Sequence, residues 1–157
     1  MMNRATPAIL WCFLFGNFVI GFGVLMIPGS LNDISHDLQI SIAQAGLLIT
    51  AGSVLMCLSA PVFATVLAKH DRRKLLTWVM LWYGVCHALC LFMPGFQEIL
   101  WVRVLAMVAP AIFTPQAAAC MGQLASPERR GRAITFVFLG WSVASVLGMP
   151  IAAWMSE

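Results

Sequence analysis

Five apolar runs joined by short polar connections dominate the chain: 8–28, 42–68, 75–96, 99–124 and 133–155. A helix needs roughly 20 mostly apolar residues to cross the hydrocarbon core of a bilayer. Each run therefore predicts one crossing helix with some tilt, and the whole chain predicts an all-α membrane protein. Composition agrees: 61% of the residues are hydrophobic and 10% charged, too few charges to cover the surface of a soluble domain of this length. No alternating ten-residue segments suggest a barrel. The first run follows Arg4 but is longer than a signal-peptide core and no small-residue cleavage site follows it, so it is expected to remain as a helix.

The charges fix a direction. Of the nine Lys and Arg residues, all except Arg103 fall at alternate ends of the runs: Arg4 before the first, Lys69, Arg72, Arg73 and Lys74 between the second and third, Arg129, Arg130 and Arg132 between the fourth and fifth. The other connections hold Asn32, Asp33, His36, Asp37 and Glu98, with no Lys or Arg. Basic residues in short loops stay in the cytoplasm, so a cytoplasmic N-terminus is expected, with anionic lipid as the partner of the 129–132 cluster.

Several function classes drop out. A net charge of +3, with no basic face interleaved with aromatics, gives no sign of nucleic-acid binding. Cys12, Cys57, Cys86, Cys90 and Cys120 all lie inside apolar runs, without a disulfide framework or CxxC pair. Cys86 and Cys90 share a helix face near His87, an arrangement read as packing rather than metal binding. No HExxH, GxSxG, phosphate loop or intramembrane carboxylate pair is present, so neither an enzyme nor a cofactor is expected.

Polar residues at membrane depth are the candidate functional groups. Arg103 lies about one turn inside the fourth run, and two readings stand open: an interfacial anchor that snorkels outward, or a buried cation facing a cavity. Asn17 and Gln116 are candidate cavity residues, as is His87, placed near the middle of the third run and the sole group there that titrates near neutral pH. In the fifth run Gly140, Ala144, Gly148 and Ala152 form a small-residue stripe that permits close helix approach, with Pro150 allowing a bend. Ala60, Ala64 and Ala68 form a similar stripe beside Pro61, and Pro110 and Pro115 make a straight fourth helix implausible. Ser126, Pro127 and Glu128 read as a helix start.

Four segments carry a family resemblance. The stretch 64–74 resembles G-x-x-x-D-R-x-G-R-R-K, with Ala64 at the first Gly, Ala68 at the Asp, Lys69 at the Arg and Asp71 at the second Gly, while Arg72, Arg73 and Lys74 match. Around Arg103, the stretch 100–104 resembles a fourth-helix motif. SPERRGRA at 126–133 resembles a loop between the fourth and fifth helices, and 140–152, with Gly148-Met149-Pro150, a fifth-helix antiporter motif. In this order the chain resembles the N-terminal portion of the major facilitator superfamily, specifically the drug:proton antiporter group with its bacterial sugar-efflux-like members.

The resemblance implies five helices of an N-terminal six-helix half in a twelve-helix fold, with alternating access around a midplane site. It further implies proton-coupled efflux of small drug- or sugar-like molecules across the bacterial inner membrane, and a C-terminal half as partner. Lys69, Asp71, Arg72, Arg73 and Lys74 would form the inner gate, although Ala68 replaces the family's latching acid. Arg103, Asn17 and Gln116 would serve substrate or coupling, and Gly140, Gly148 and Pro150 the antiporter motif. The alternative is a non-transporting membrane fragment or interaction subunit.

Overall fold

The computed structural model describes residues 7–67 and 70–156, so Arg4, Ala68 and Lys69 lie outside the described residues. Within that set the chain forms seven α-helices: α1 (Pro7–Gly29), α2 (Leu31–Asp37), α3 (Ile42–Val66), α4 (Arg72–Cys90), α5 (Phe96–Ala106), α6 (Val108–Leu124) and α7 (Arg130–Ser156). No strand occurs among the described residues.

Local chemistry sets the helix limits. The connection after α1 is itself a short helix, α2, closed by Gln39 in the left-handed region (φ 52°), where its side chain donates to the His36 carbonyl at 2.7 Å. α3 opens on a capping box: the Ser41 hydroxyl accepts from the Gln44 N–H at 3.2 Å, and the Gln44 side chain accepts from the Ser41 N–H at 3.0 Å. α4 opens on Asp71, whose carboxylate accepts from the Arg73 N–H at 3.0 Å and the Lys74 N–H at 3.5 Å. A carboxylate there satisfies orphan donors and complements the positive helix end, which accounts for an acid among four cations.

Three expected boundaries shift. The third run does not stay helical to residue 96: α4 ends at Cys90, because Pro94 disfavours helix at Met93 and Gly95 follows. His87 consequently sits in the last turn of its helix rather than at its middle. The fourth run is broken at Met107, three residues before Pro110, whose missing N–H leaves the Ala106 carbonyl without its helical donor. The start expected at Ser126 is a turn, with the Arg129 N–H on the Ser126 carbonyl at 3.0 Å, and α7 begins at Arg130. In that turn the Glu128 carboxyl accepts from its own N–H and from the Ser126 hydroxyl, which hold it below the usual carboxylate range.

α6 is the central element, packing on α1, α3, α4 and α7, while α1 lies along α7 and α4 along α5. Four helical stretches are long and apolar enough to cross a membrane: α1, α3, the nearly continuous α5–α6 and α7. α4 differs because Arg72, Arg73 and Lys74 fill its first turn. Large apolar side chains face outward around the bundle, among them Trp11, Phe15, Leu58, Trp78, Val146 and Trp154. An apolar exterior this extensive suits lipid rather than water.

Topology also gathers the basic segments. One cavity is bounded by Ala8, Cys12, Arg72, Arg73 and Leu124, another by Pro7, Leu10, Arg129 and Arg132. The starts of α1, α4 and α7 and the end of α6 therefore occupy one end of the bundle.

Candidate functional site

Arg103 occupies the last turn of α5 and is 5% exposed, which excludes the snorkelling reading. Its Nη2 donates to the Val24 carbonyl of α1 at 3.1 Å, and its Nη1 lies 3.4 Å from His87 Nε2 on α4. Pro28 explains why Val24 is free to accept. A helical carbonyl normally receives the N–H four residues on, and residue 28 has none.

His87 completes the arrangement. Its Nδ1 is 2.9 Å from the Tyr83 carbonyl, which can only accept, so Nδ1 carries a proton. In the neutral ring Nε2 is then the acceptor for the Arg103 N–H. Tyr83 stacks edge-on against His87 with ring centroids 4.2 Å apart, and its hydroxyl donates to the Ile20 carbonyl at 3.0 Å. Gly23 makes room: a Cβ there would collide with the Tyr83 hydroxyl and lie 2.8 Å from His87 Nε2. Arg103 Nε has no hydrogen-bond partner among the described residues. The guanidinium is thus held by a carbonyl and a neutral imidazole with the Tyr83 hydroxyl beside it, and no carboxylate among the described residues pairs with it.

A second polar group joins α1, α6 and α7. Asn17, fully buried, accepts from the Thr114 hydroxyl at 3.1 Å and donates to the Phe13 carbonyl at 3.1 Å. The Trp141 indole N–H donates to the Thr114 hydroxyl at 3.4 Å. Gln116 is buried on α6 with its Oε1 unpartnered among the described residues. Asn17 and Val24 stand seven residues apart on α1, roughly 10 Å along the helix axis, so Arg103 and Asn17 engage different levels of α1.

The α7 stripe meets α1 directly. A Cβ on Gly140 would strike the Leu14 carbonyl and lie 2.7 Å from the Phe18 nitrogen. Ala144 faces Gly21, Gly148 faces Phe22 and Leu25, and Ala152 faces Gly29. Pro150 is exposed on the other side of α7. In the α3 stripe Ala64 is exposed and Ala60 half-buried. At the basic end Arg72 is half-buried with Nη1 3.8 Å from Cys120 Sγ, whereas Asp71, Arg73 and Lys74 are exposed.

The family model of the Major Facilitator Superfamily matches residues 13–157. The chain belongs to the major facilitator superfamily. Among relatives, this major facilitator chain is 30% identical over 135 residues to the uncharacterized MFS-type transporter YbcL of Bacillus subtilis, covering 86% of the chain and 35% of that protein. It is 30% identical over 131 residues to the chloramphenicol resistance protein of Streptomyces lividans, covering 83% of the chain and 33% of that protein. With the inner membrane transport protein YdhP of Escherichia coli it shares 25% over 142 residues, 90% of the chain and 36% of that protein. The chain thus spans about a third of the length of these curated relatives. No solved structure matches it.

Tyr83, Thr114 and the Val24 carbonyl are site components that the residue types alone did not reveal. The proline rule offered one signal, since Pro28 names Val24 as the open acceptor. Among the described residues no cluster of His, Cys, Asp or Glu could hold a metal ion.

Proposed function

We propose that this major facilitator chain supplies the first five membrane-crossing helices of a twelve-helix secondary transporter in the bacterial cytoplasmic membrane, one that exports small drug- or sugar-like molecules in exchange for protons. α4 is the remaining crossing, with Arg72, Arg73 and Lys74 at the lipid headgroups, where long cationic side chains are accommodated. The gathering of the basic segments at one bundle end supports a cytoplasmic N-terminus.

One observation carries the reading: Arg103 is buried among helices α1, α4 and α5 and held only by uncharged acceptors. A cation inside a membrane bundle costs stability and marks a functional position. Arg103 is the fixed charge of the site, answering a substrate or a carboxylate of the C-terminal half. Asn17, with Thr114 and Trp141 beside it, and Gln116 line the substrate path. The Gly140–Gly148 face and Pro150 let α7 move against α1, and Lys69 with residues 71–74 forms the inner gate. A relative named for chloramphenicol resistance supports drug-like cargo.

The test is export of chloramphenicol and ethidium from bacteria that lack their major pumps and express the full-length protein. Wild type should lower accumulation, and a protonophore should abolish the effect. Unchanged export by Arg103→Ala would remove Arg103 from the mechanism. Export that survives collapse of the proton gradient would end the antiport reading.

A further inference from the structure

We propose that His87 is the residue through which a proton acts on Arg103: proton binding at Nε2 and the Arg103–His87 bond are mutually exclusive. This rests on the transporter reading above and adds to it a named proton-binding atom. The bonds to Tyr83 and Arg103, taken together, fit the neutral Nδ1–H ring. His87 Nδ1 must donate, because the Tyr83 carbonyl 2.9 Å away can only accept. Nε2 must accept, because the group 3.4 Å away is a guanidinium N–H, which has no acceptor capacity. A proton taken onto the Nε2 lone pair sets two donors and two positive charges face to face, and the bond to Arg103 is lost.

The surroundings make the exchange specific. From α4 itself Tyr83 stands against the ring, with Cys90 facing Arg103 and Cys86 facing Cys90, and from α5 Arg103 does among the described residues. The Glu98 carboxylate folds back over Gly95 at the start of α5. α1 presents backbone: Cys12, its one titratable residue, is eleven positions before Gly23. The Gly23 carbonyl faces the ring and is the acceptor available to a new Nε2–H. Arg103, released from His87, keeps the Val24 carbonyl and the Tyr83 hydroxyl as neutral partners, and its Nε, unpartnered among the described residues, remains to meet an anion. Proton uptake and exposure of the fixed cation are thereby one event, and His87 acts as a positioning residue for Arg103.

Two measurements on the full-length protein in lipid decide it. The first is 15N NMR of histidine and arginine side chains, with His87→Gln for assignment. At the alkaline end His87 should be the Nδ1–H tautomer. On acidification between about pH 5 and 8, the range in which histidine serves as a switch, Nε2 protonation and the Arg103 guanidinium shift should share one midpoint. An Nε2–H tautomer, different midpoints, or no change in either signal overturns the proposal. The second is the pH profile of chloramphenicol counterflow. Glutamine can accept from Arg103 but cannot titrate there, so His87→Gln should flatten the profile, and His87→Phe, which also loses the acceptor, should not restore it. If wild type moves no chloramphenicol while the coupled NMR transition is present, the cargo assignment fails and the His87–Arg103 switch stands. If counterflow is robust and His87→Gln keeps the wild-type profile, the His87–Arg103 switch fails and the transporter stands.

Discussion

Pro28 and Arg103 are linked through a single carbonyl: the proline removes the helical donor of Val24, and the guanidinium takes its place at 3.1 Å. A residue that weakens α1 thus creates the acceptor that holds α5 against it. Burial of an unpaired cation is expensive, and here the cost is offset by neutral acceptors rather than by an opposite charge.

That arrangement separates stability from activity at Arg103. Arg103→Met removes the buried charge and keeps much of the volume, so the melting midpoint in detergent should stay level or rise while export is lost. Arg103→Lys keeps the charge but not the planar fork needed to reach both Val24 and His87. It should lower stability by about 1–3 kcal/mol, the scale of a lost hydrogen bond to a charged group. A lysine variant that melts with wild type would show that the two-point hold contributes nothing.

Glycines along the α1–α7 contact should differ sharply under one added methyl. At Gly140 the methyl meets backbone, the Leu14 carbonyl and the Phe18 nitrogen, which cannot yield without parting the helices. Gly140→Ala should cost about 1–3 kcal/mol, as overpacked cores do, and impair export. Gly148→Ala reaches its nearest atom at 3.4 Å, ordinary contact, and should be mild. Gly46→Ala in α3 meets nothing within 4 Å and should stabilise by about 0.5–1 kcal/mol through backbone entropy. Thermal melts of the three variants, ranked, provide the check.

Trp82 stitches the break between α5 and α6. Its indole N–H donates to the Leu105 carbonyl at 3.0 Å, beside the point where Pro110 interrupts the ladder. Trp82→Phe keeps an aromatic ring, though a smaller one, but removes the donor, and should destabilise by about 1 kcal/mol, the net worth of one hydrogen bond. Trp78→Phe, 70% exposed on the same helix, is the control and should melt within experimental error of wild type. Equal losses in both would assign the effect to aromatic area instead.

Four helices long and apolar enough to cross were legible because lipid demands length and apolarity, both linear properties of a sequence. Helix ends were less so. Ser126-Pro127-Glu128 has the residues of a helix start, yet its side chains serve a turn, since the same hydroxyl and carboxylate satisfy either geometry. The capping box of α3 is written in the sequence as Ser41 followed three residues on by Gln44. Arg103 was visible as an anomaly, but whether it snorkels or is buried depends on which helix covers it, a tertiary fact. Thr114 gave no signal, since it acquires its role only through Asn17, far away in sequence, and Trp141 is tied in through the Thr114 hydroxyl.

Asp71 offers a clean separation of capping from charge. It stands where the family pattern has a glycine, and its carboxylate caps α4 through the Arg73 and Lys74 amides. Asn accepts the same bonds, so Asp71→Asn should retain nearly all stability, whereas Asp71→Ala should lose about 1 kcal/mol. Export then tells the roles apart. If the acid only caps the helix, the asparagine variant transports as wild type does and the alanine variant suffers in proportion to its melting loss. If the charge itself latches the inner gate in place of the acid absent at Ala68, both variants lose export alike although only one loses stability.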